Sequence, residues 1–179
     1  MSRLSIEKKG ITEFATDAIV NAANSRLAPG GGVCGAIFSQ AGYDELDDAC
    51  LKIGGCDTGD AVITPGFNLP AKYIIHAVGP IWQGGGDKEP ELLYSAYKRA
   101  LTVAKENGCK SITFPLISAG IYGYPLQGAW QVALQACLDY LLQDQMDIIF
   151  AVLDERIMEV GQQEIQKLMQ EEKYKGISY

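Results

Sequence analysis

The run Asp17-Ala18-Ile19-Val20-Asn21-Ala22-Ala23-Asn24-Ser25-Arg26-Leu27-Ala28-Pro29-Gly30-Gly31-Gly32-Val33-Cys34-Gly35-Ala36-Ile37-Phe38 divides into three parts of different physical character. Asp17–Ala23 is a short, nearly continuous apolar segment with β-branched residues, the pattern of a strand covered on both faces. Asn24–Gly32 is polar and turn-forming and ends in three consecutive glycines. From Val33 onward the pattern is that of a helix. Glycines let a backbone approach a ligand closely, and a helix N-terminus offers unpaired N–H groups and a partial positive charge. The amide of Asn24 both donates and accepts hydrogen bonds, which suits sugar hydroxyls. Taken alone, the glycine triplet is described more simply as a flexible turn with an asparagine cap.

Outward from this unit the same alternation recurs. Ala61–Thr64, Tyr73–Val78, Ser111–Phe114 and Asp147–Val152 read as strands, and a first strand is expected near Leu4–Lys8. Leu93, Tyr97, Ala100 and Ala104 lie on one helical stripe, and Ala129, Val132, Ala133, Ala136, Cys137, Tyr140 and Leu141 on another. Helices are also expected over Asp44–Leu51 and Glu155–Glu172, the second weakened by Gly161. Alternation of this kind predicts an α/β class fold, a three-layer α/β/α domain with a largely parallel sheet spanning residues 1–179. Ligands of such sheets sit outside the carboxyl ends of the strands.

A second loop falls at such an end. Pro115-Leu116-Ile117-Ser118-Ala119-Gly120-Ile121-Tyr122-Gly123-Tyr124-Pro125 follows a strand and precedes a helix that begins at Leu126. Ser118 and Gly120 suit close approach to a phosphate, and Tyr122 or Tyr124 could cover a sugar or base. Two such loops at one sheet edge could clamp a diphosphate from both sides without a lysine. Neither contains GxxxxGK[ST], and Gly30–Gly35 lacks the GxGxxG spacing.

Composition fits a backbone-built site. The net charge is −7 with no lysine/arginine cluster, a poor footprint for nucleic acid, whose binding depends on neutralising phosphates. There is no apolar run near the roughly 20 residues of a membrane span and no signal-type segment in Met1–Lys9, so a cytoplasmic protein is the default expectation. The five cysteines form no CxxC pair, and with the single His76 they supply no zinc-site spacing. No metal or redox cofactor is expected, and a monomer is.

Several of these segments, in this order and spacing, resemble the macrodomain family and in particular its MacroD-type branch. They are Asp17–Asn24, Gly30-Gly31-Gly32-Val33 leading into Gly35-Ala36-Ile37, Gly55–Ala61, Leu69–Pro80 and Ser118–Pro125. The resemblance spans nearly the whole chain. It implies a mixed six-stranded sheet between helices, with ADP-ribose in a cleft above it. The usual activity of the branch is hydrolysis of the ester joining ADP-ribose to an acidic side chain, or deacetylation of O-acetyl-ADP-ribose. Carried over position by position, Asn24 meets the distal ribose. Gly31, Gly32, Val33 and Cys34 meet the distal ribose and diphosphate, while Ser118, Ala119, Gly120, Ile121 and Tyr122 wrap the diphosphate from the other side. Gly10, Ile11 and Leu153 border the adenine.

Three positions depart from the family pattern. Cys34 stands where the branch usually has an aspartate proposed to orient or activate water. Lys9-Gly10-Ile11-Thr12 lacks the aspartate of Gly-Asp-Ile-Thr that accepts a hydrogen bond from adenine, and Leu153 replaces an aromatic residue that stacks on it. Asn24 and Cys34 are therefore the catalytic candidates. A helix N-terminus lowers a thiol pKa and would favour a Cys34 thiolate able to act as base or nucleophile, although no histidine lies near it in sequence. The simpler role for Cys34 is a small residue in the aspartate's place, with the substrate's own phosphate positioning water. His76 is expected as a hydrogen-bonded core residue, Cys56 as packing, Asp154 and Glu155 as helix-start acids, and Trp82 with Gln83–Asp87 as a mobile surface loop. Three functions compete: an ADP-ribosyl ester hydrolase acting on ADP-ribosylated proteins or small molecules, a non-catalytic module binding ADP-ribose or a related nucleotide diphosphate, and an RNA-associated regulator that the charge disfavours.

Overall fold

The computed structural model describes residues 3–179; Met1 and Ser2, which open the stretch read for a leader, lie outside them. Six strands form one sheet: β1 (Leu4–Lys8), β2 (Ala18–Ala23), β3 (Ala61–Pro65), β4 (Tyr73–Val78), β5 (Ser111–Phe114) and β6 (Asp147–Val152). Their order is β1-β6-β5-β2-β4-β3. All neighbours run parallel except β3, which pairs antiparallel with β4 at the edge. The sheet is therefore mixed. β3 and β4 are joined by a short return rather than a helical crossover, and only antiparallel pairing permits that.

The strand residues alternate between two apolar layers, as the period of two requires. Val20, Ile75, Phe114 and Phe150 face α3 (Glu89–Glu106), α4 (Leu126–Leu141) and α5 (Glu155–Leu168). Ile19, Ile74 and Val78 face α1 (Gly32–Ala41) and α2 (Tyr43–Ile53). Trp130 of α4 meets Phe150 edge-on at 5.2 Å and Phe114 stacks on Phe150 at 5.6 Å, an aromatic seam under the larger layer.

Two expected features change. The last helix ends at Leu168 instead of continuing to Glu172, and the chain tightens through i→i+3 bonds from Gln170 and Glu171. That bend turns Tyr174 inward, where it is fully buried and its hydroxyl donates to Asp139. Gly161 is not simply a weak point of α5 either. A Cβ there would lie 2.7 Å from the Trp130 ring, so the glycine is what lets α5 close on α4. The helix starts at Asp154, whose carboxylate accepts the N–H groups of Arg156 and Ile157 as a side-chain cap.

The consequence for function is positional. β2 leads into α1 on one face of the sheet, whereas its neighbour β5 leads into α4 on the other. Adjacent parallel strands whose connections leave to opposite sides create a crevice between their carboxyl ends. Both loops of interest leave from that point.

Candidate functional site

Loop A (residues 24–31) leaves β2 and is shaped by Asn24. The Asn24 amide donates to the carbonyl of Ala28 at 2.9 Å, while its oxygen accepts the N–H groups of Ala28 and Arg26 at 3.0 and 3.2 Å. The Asn24 side chain thus organises the loop itself. Gly30, Gly31 and Gly32 are exposed, and no side chain caps α1 at Gly31. A helix's first N–H groups have no intrahelical partner, so this end presents donors to solvent. Gly32 adopts φ +57, and a Cβ on Gly35 would lie 2.7 Å from the carbonyl oxygen of Gly30. A side chain at Gly32 would be strained by its backbone angle, and one at Gly35 would have to displace the Gly30 carbonyl.

Loop B (residues 115–125) leaves β5. Tyr97 of α3 ties down its start, its hydroxyl accepting the N–H of Ile117 at 2.9 Å and donating to the carbonyl of Pro115. Ser118 is buried at φ +68, and its hydroxyl donates to the carbonyl of Pro80 at 2.7 Å. Ala119 and Tyr122 are half-buried and Gly120 is exposed. Ile121 is 89% exposed, a large apolar side chain left in water beside exposed backbone.

The segments after β1 and β6 reach the same edge. Leu153 is 74% exposed, Ile11 is buried, and the N–H of Gly10 donates to the carboxylate of Glu13 at 3.1 Å. That carboxylate lies over Gly10, occupying space a side chain there would need. Glu13 was not among the sequence candidates. The three-residue spacing from Gly10 at the start of a helical turn is the signal that could have found it. Every sequence candidate, Gly10, Ile11, Asn24, Gly31 to Cys34, Ser118 to Tyr122 and Leu153, therefore belongs to a segment at the carboxyl ends of β1, β2, β5 and β6.

Cys34 differs from its sequence expectation. It sits in the first turn of α1 but is 7% exposed, with its sulfur 3.7 Å from the Asn21 amide and 3.8 Å from the Ala28 carbonyl. Burial pushes its thiol up, outweighing the opposing hydrogen bonds from Asn21 and the Gly30 backbone. A neutral thiol results, where a helix terminus alone implied thiolate. Nor is it remote from histidine. Asn21 also reaches Nδ1 of His76 at 3.1 Å, and Nε2 of His76 lies 3.0 Å from the Thr64 hydroxyl. His76 is buried and held neutral, its pKa pushed down to about 4 by desolvation, so it is a core residue bonded through both ring nitrogens. Cys56 is buried, and its N–H donates to the carbonyl of Ser25, tying the segment before β3 to loop A.

The Trp82–Asp87 segment, expected as a mobile loop, is folded around the buried carboxylate of Glu89, which accepts three backbone N–H groups from it. With Ser25, Thr58, Gly79 and Tyr122 it encloses a cavity of about 240 Å³ at the β4 side of the loops. A larger groove between α2 and β3 includes no residue of either loop. Among the described residues no group of three His, Cys, Asp or Glu converges as metal ligands, and no helix is long and apolar enough to cross a membrane.

The fold and the order of these loops recur in known proteins. The Macro domain model matches residues 20–133. The chain is 46% identical to an O-acetyl-ADP-ribose deacetylase of Escherichia fergusonii over 86% of this chain and 90% of that protein. Among solved structures it is similar to an Oceanobacillus iheyensis macrodomain with ADP, at TM-score 0.86 and 40% identity, covering 92% of this chain and 90% of that one. It is similar also to a Trypanosoma brucei macrodomain in complex with ADP-ribose, at TM-score 0.85 and 36% identity, covering 91% and 69%. The matched segment runs from β2 through both loops into α4, so the glycine-rich crevice and the family resemblance rest on the same residues, and the chain belongs to the Macro domain family.

Proposed function

We propose that the chain binds ADP-ribose at the crevice between β2 and β5 and hydrolyses ester-linked derivatives of it, O-acetyl-ADP-ribose or ADP-ribosylated acidic side chains. The observation that carries this reading is the pair of loops A and B at the carboxyl ends of neighbouring parallel strands. One offers the uncapped N-terminus of α1 and the other an exposed glycine turn. Backbone N–H groups there can neutralise a diphosphate without a basic side chain, which a chain of net charge −7 with no basic cluster requires. Relatives named for ADP-ribose chemistry support the same ligand.

In the hydrolytic step a water oxygen attacks the acyl carbonyl carbon and the bond to the ribose oxygen breaks. The carboxylic acid leaves, and the ribose oxygen takes up a proton from the water. Cys34, neutral and buried, does not serve as the base; it fills the volume beneath Gly30 and receives the Asn21 amide. The water's orientation then falls to the substrate's own phosphate. Asn24 acts by holding loop A in shape. The same neutral Cys34 favours a second reading, a module that binds without turnover.

Calorimetric titration with ADP-ribose, followed by deacetylation assays of O-acetyl-ADP-ribose, separates the two. The hydrolase reading expects turnover by the wild type, retained in Cys34→Ala and lost in Asn24→Ala. Binding without wild-type turnover, with turnover appearing in Cys34→Asp, supports the binder. Failure of the wild type to bind ADP-ribose overturns both.

A further inference from the structure

The segment joining β4 to α3 carries a feature that ligand binding has not absorbed. Glu89, the first residue of α3, is 1% exposed. Its Oε2 accepts the N–H groups of Gln83 and Gly85 at 2.8 and 2.9 Å, and its Oε1 accepts that of Asp87 at 2.6 Å. The backbone from 83 to 87 is thus wound around an anion that its own chain supplies. These donors, Gln83 foremost, overcome the cost of burial and hold the carboxyl down at about 2.

From this anchor a series of contacts runs to loop B. Gly85, at φ +89, lies so close to Trp82 that a Cβ would fall 2.9 Å from the indole ring. The Trp82 ring packs on Tyr124 with centroids 4.7 Å apart, and the backbone N–H of Trp82 donates to the carbonyl of Tyr122 at 2.8 Å. Two residues earlier, Pro80 accepts the Ser118 hydroxyl. Loop B contributes bonds of its own from Gly123 to Gly120 and from Tyr124 to Ser118, at 3.0 and 2.9 Å. The exposed turn at Gly120–Ile121 is therefore held from outside at residues on either side of it.

We infer that Glu89 is a positioning residue for loop B, acting through the 83–87 segment and Trp82 to set the wall that meets the diphosphate. The inference rests on the reading of loop B as part of an ADP-ribose site. Its chemistry requires a carboxylate: three N–H donors converge on two acceptor oxygens, and an amide offers only one and opposes a donor with its own NH₂ group.

The test compares wild type with Glu89→Gln, Glu89→Asp and Gly85→Ala by amide hydrogen exchange and by ADP-ribose titration. Glu89→Gln should speed exchange at residues 82–87 and at 118–124 while leaving β6 protected, and should weaken ADP-ribose binding by about tenfold, the equivalent of one lost charge-assisted bond. Glu89→Asp should recover part of the protection at 118–124. Gly85→Ala keeps the carboxylate and displaces Trp82, so it should loosen 118–124 even if Glu89→Gln fails to fold. Faster exchange confined to 82–87 with unchanged affinity, or faster exchange spread equally through β6, overturns the inference. A wild type that does not bind ADP-ribose defeats the functional reading, while the exchange data still decide the link from Glu89 to loop B.

Discussion

Gly79, the first residue after β4, lies against loop B, and Gly79→Ala is a direct probe of that contact. A Cβ at position 79 would lie 2.3 Å from the Ser118 hydroxyl oxygen and 2.5 Å from Cγ2 of Ile117. Both neighbours are buried. Ser118 can rotate away only by giving up its bond to the Pro80 carbonyl, and leaving a buried acceptor unpaired costs about 1–3 kcal/mol. Ile117, buried, must change rotamer or shift against its packed neighbours, and overpacking costs about 1–3 kcal/mol more. The substitution should destabilise the protein by about 2–6 kcal/mol, a large share of the roughly 5–15 kcal/mol typical of a folded domain. Urea unfolding of wild type, Gly79→Ala, Ser118→Ala and the double variant measures it. Because Ser118→Ala removes the atom in the closest clash, the double variant should cost at least about 1 kcal/mol less than the two singles together. Additivity within about 0.5 kcal/mol, or a Gly79→Ala variant as stable as wild type, would show that loop B is not packed against β4 in this way.

Gly161→Ala sets helix propensity, which favours alanine by about 1 kcal/mol, against a Cβ 2.7 Å from the Trp130 ring and 2.8 Å from Ile6. Packing should win, with a net loss of about 1–3 kcal/mol in thermal unfolding, and a stabilised variant would refute that ordering. His76 predicts a pH dependence. Its folded pKa of about 4 lies below the ordinary 6.5, so on acidification the unfolded chain takes up the proton first. Its contribution is fully present above pH 6.5 and is lost as pH falls toward 4, with a slope of at most about 1.4 kcal/mol per unit. Urea midpoints between pH 7 and 5.5 should fall in wild type and flatten in His76→Gln; an NMR titration placing His76 near its ordinary value would contradict the burial account.

Much of the architecture was legible in linear order. The apolar runs became β2 to β6 within a residue or two, because a strand packed between two layers needs a nearly uninterrupted apolar segment and that need is local; β1, Leu4-Ser5-Ile6-Glu7-Lys8 at the sheet edge, has no such run. The direction of β3 was not legible from its pattern, since a period of two looks the same read either way. The end of α5 was overrun by four residues, because the pull that stops it comes from Tyr174 reaching Asp139 on another helix. At the site, the placement of loops A and B at one edge followed from the strand–loop–helix order. Glu89 stayed hidden, since it reads as an ordinary first-turn acid until its carboxylate is seen folded onto backbone N–H groups, whereas Glu13 had only its three-residue spacing from Gly10 to mark it.

What the linear order determined, then, was which segments are strands and where glycine leaves the backbone exposed, for these depend on local composition. Tertiary structure alone decided the burial of Cys34 and the packing of the segment before α3 against loop B. A thiol at a helix start carries two opposing influences, and only the packing of Asn21, Ala28 and Gly30 around it lets burial prevail. In the same way, the glycine-rich segment before α3 folds onto the carboxylate of Glu89 a few residues along the chain, but only the fold brings Trp82 against the ring of Tyr124.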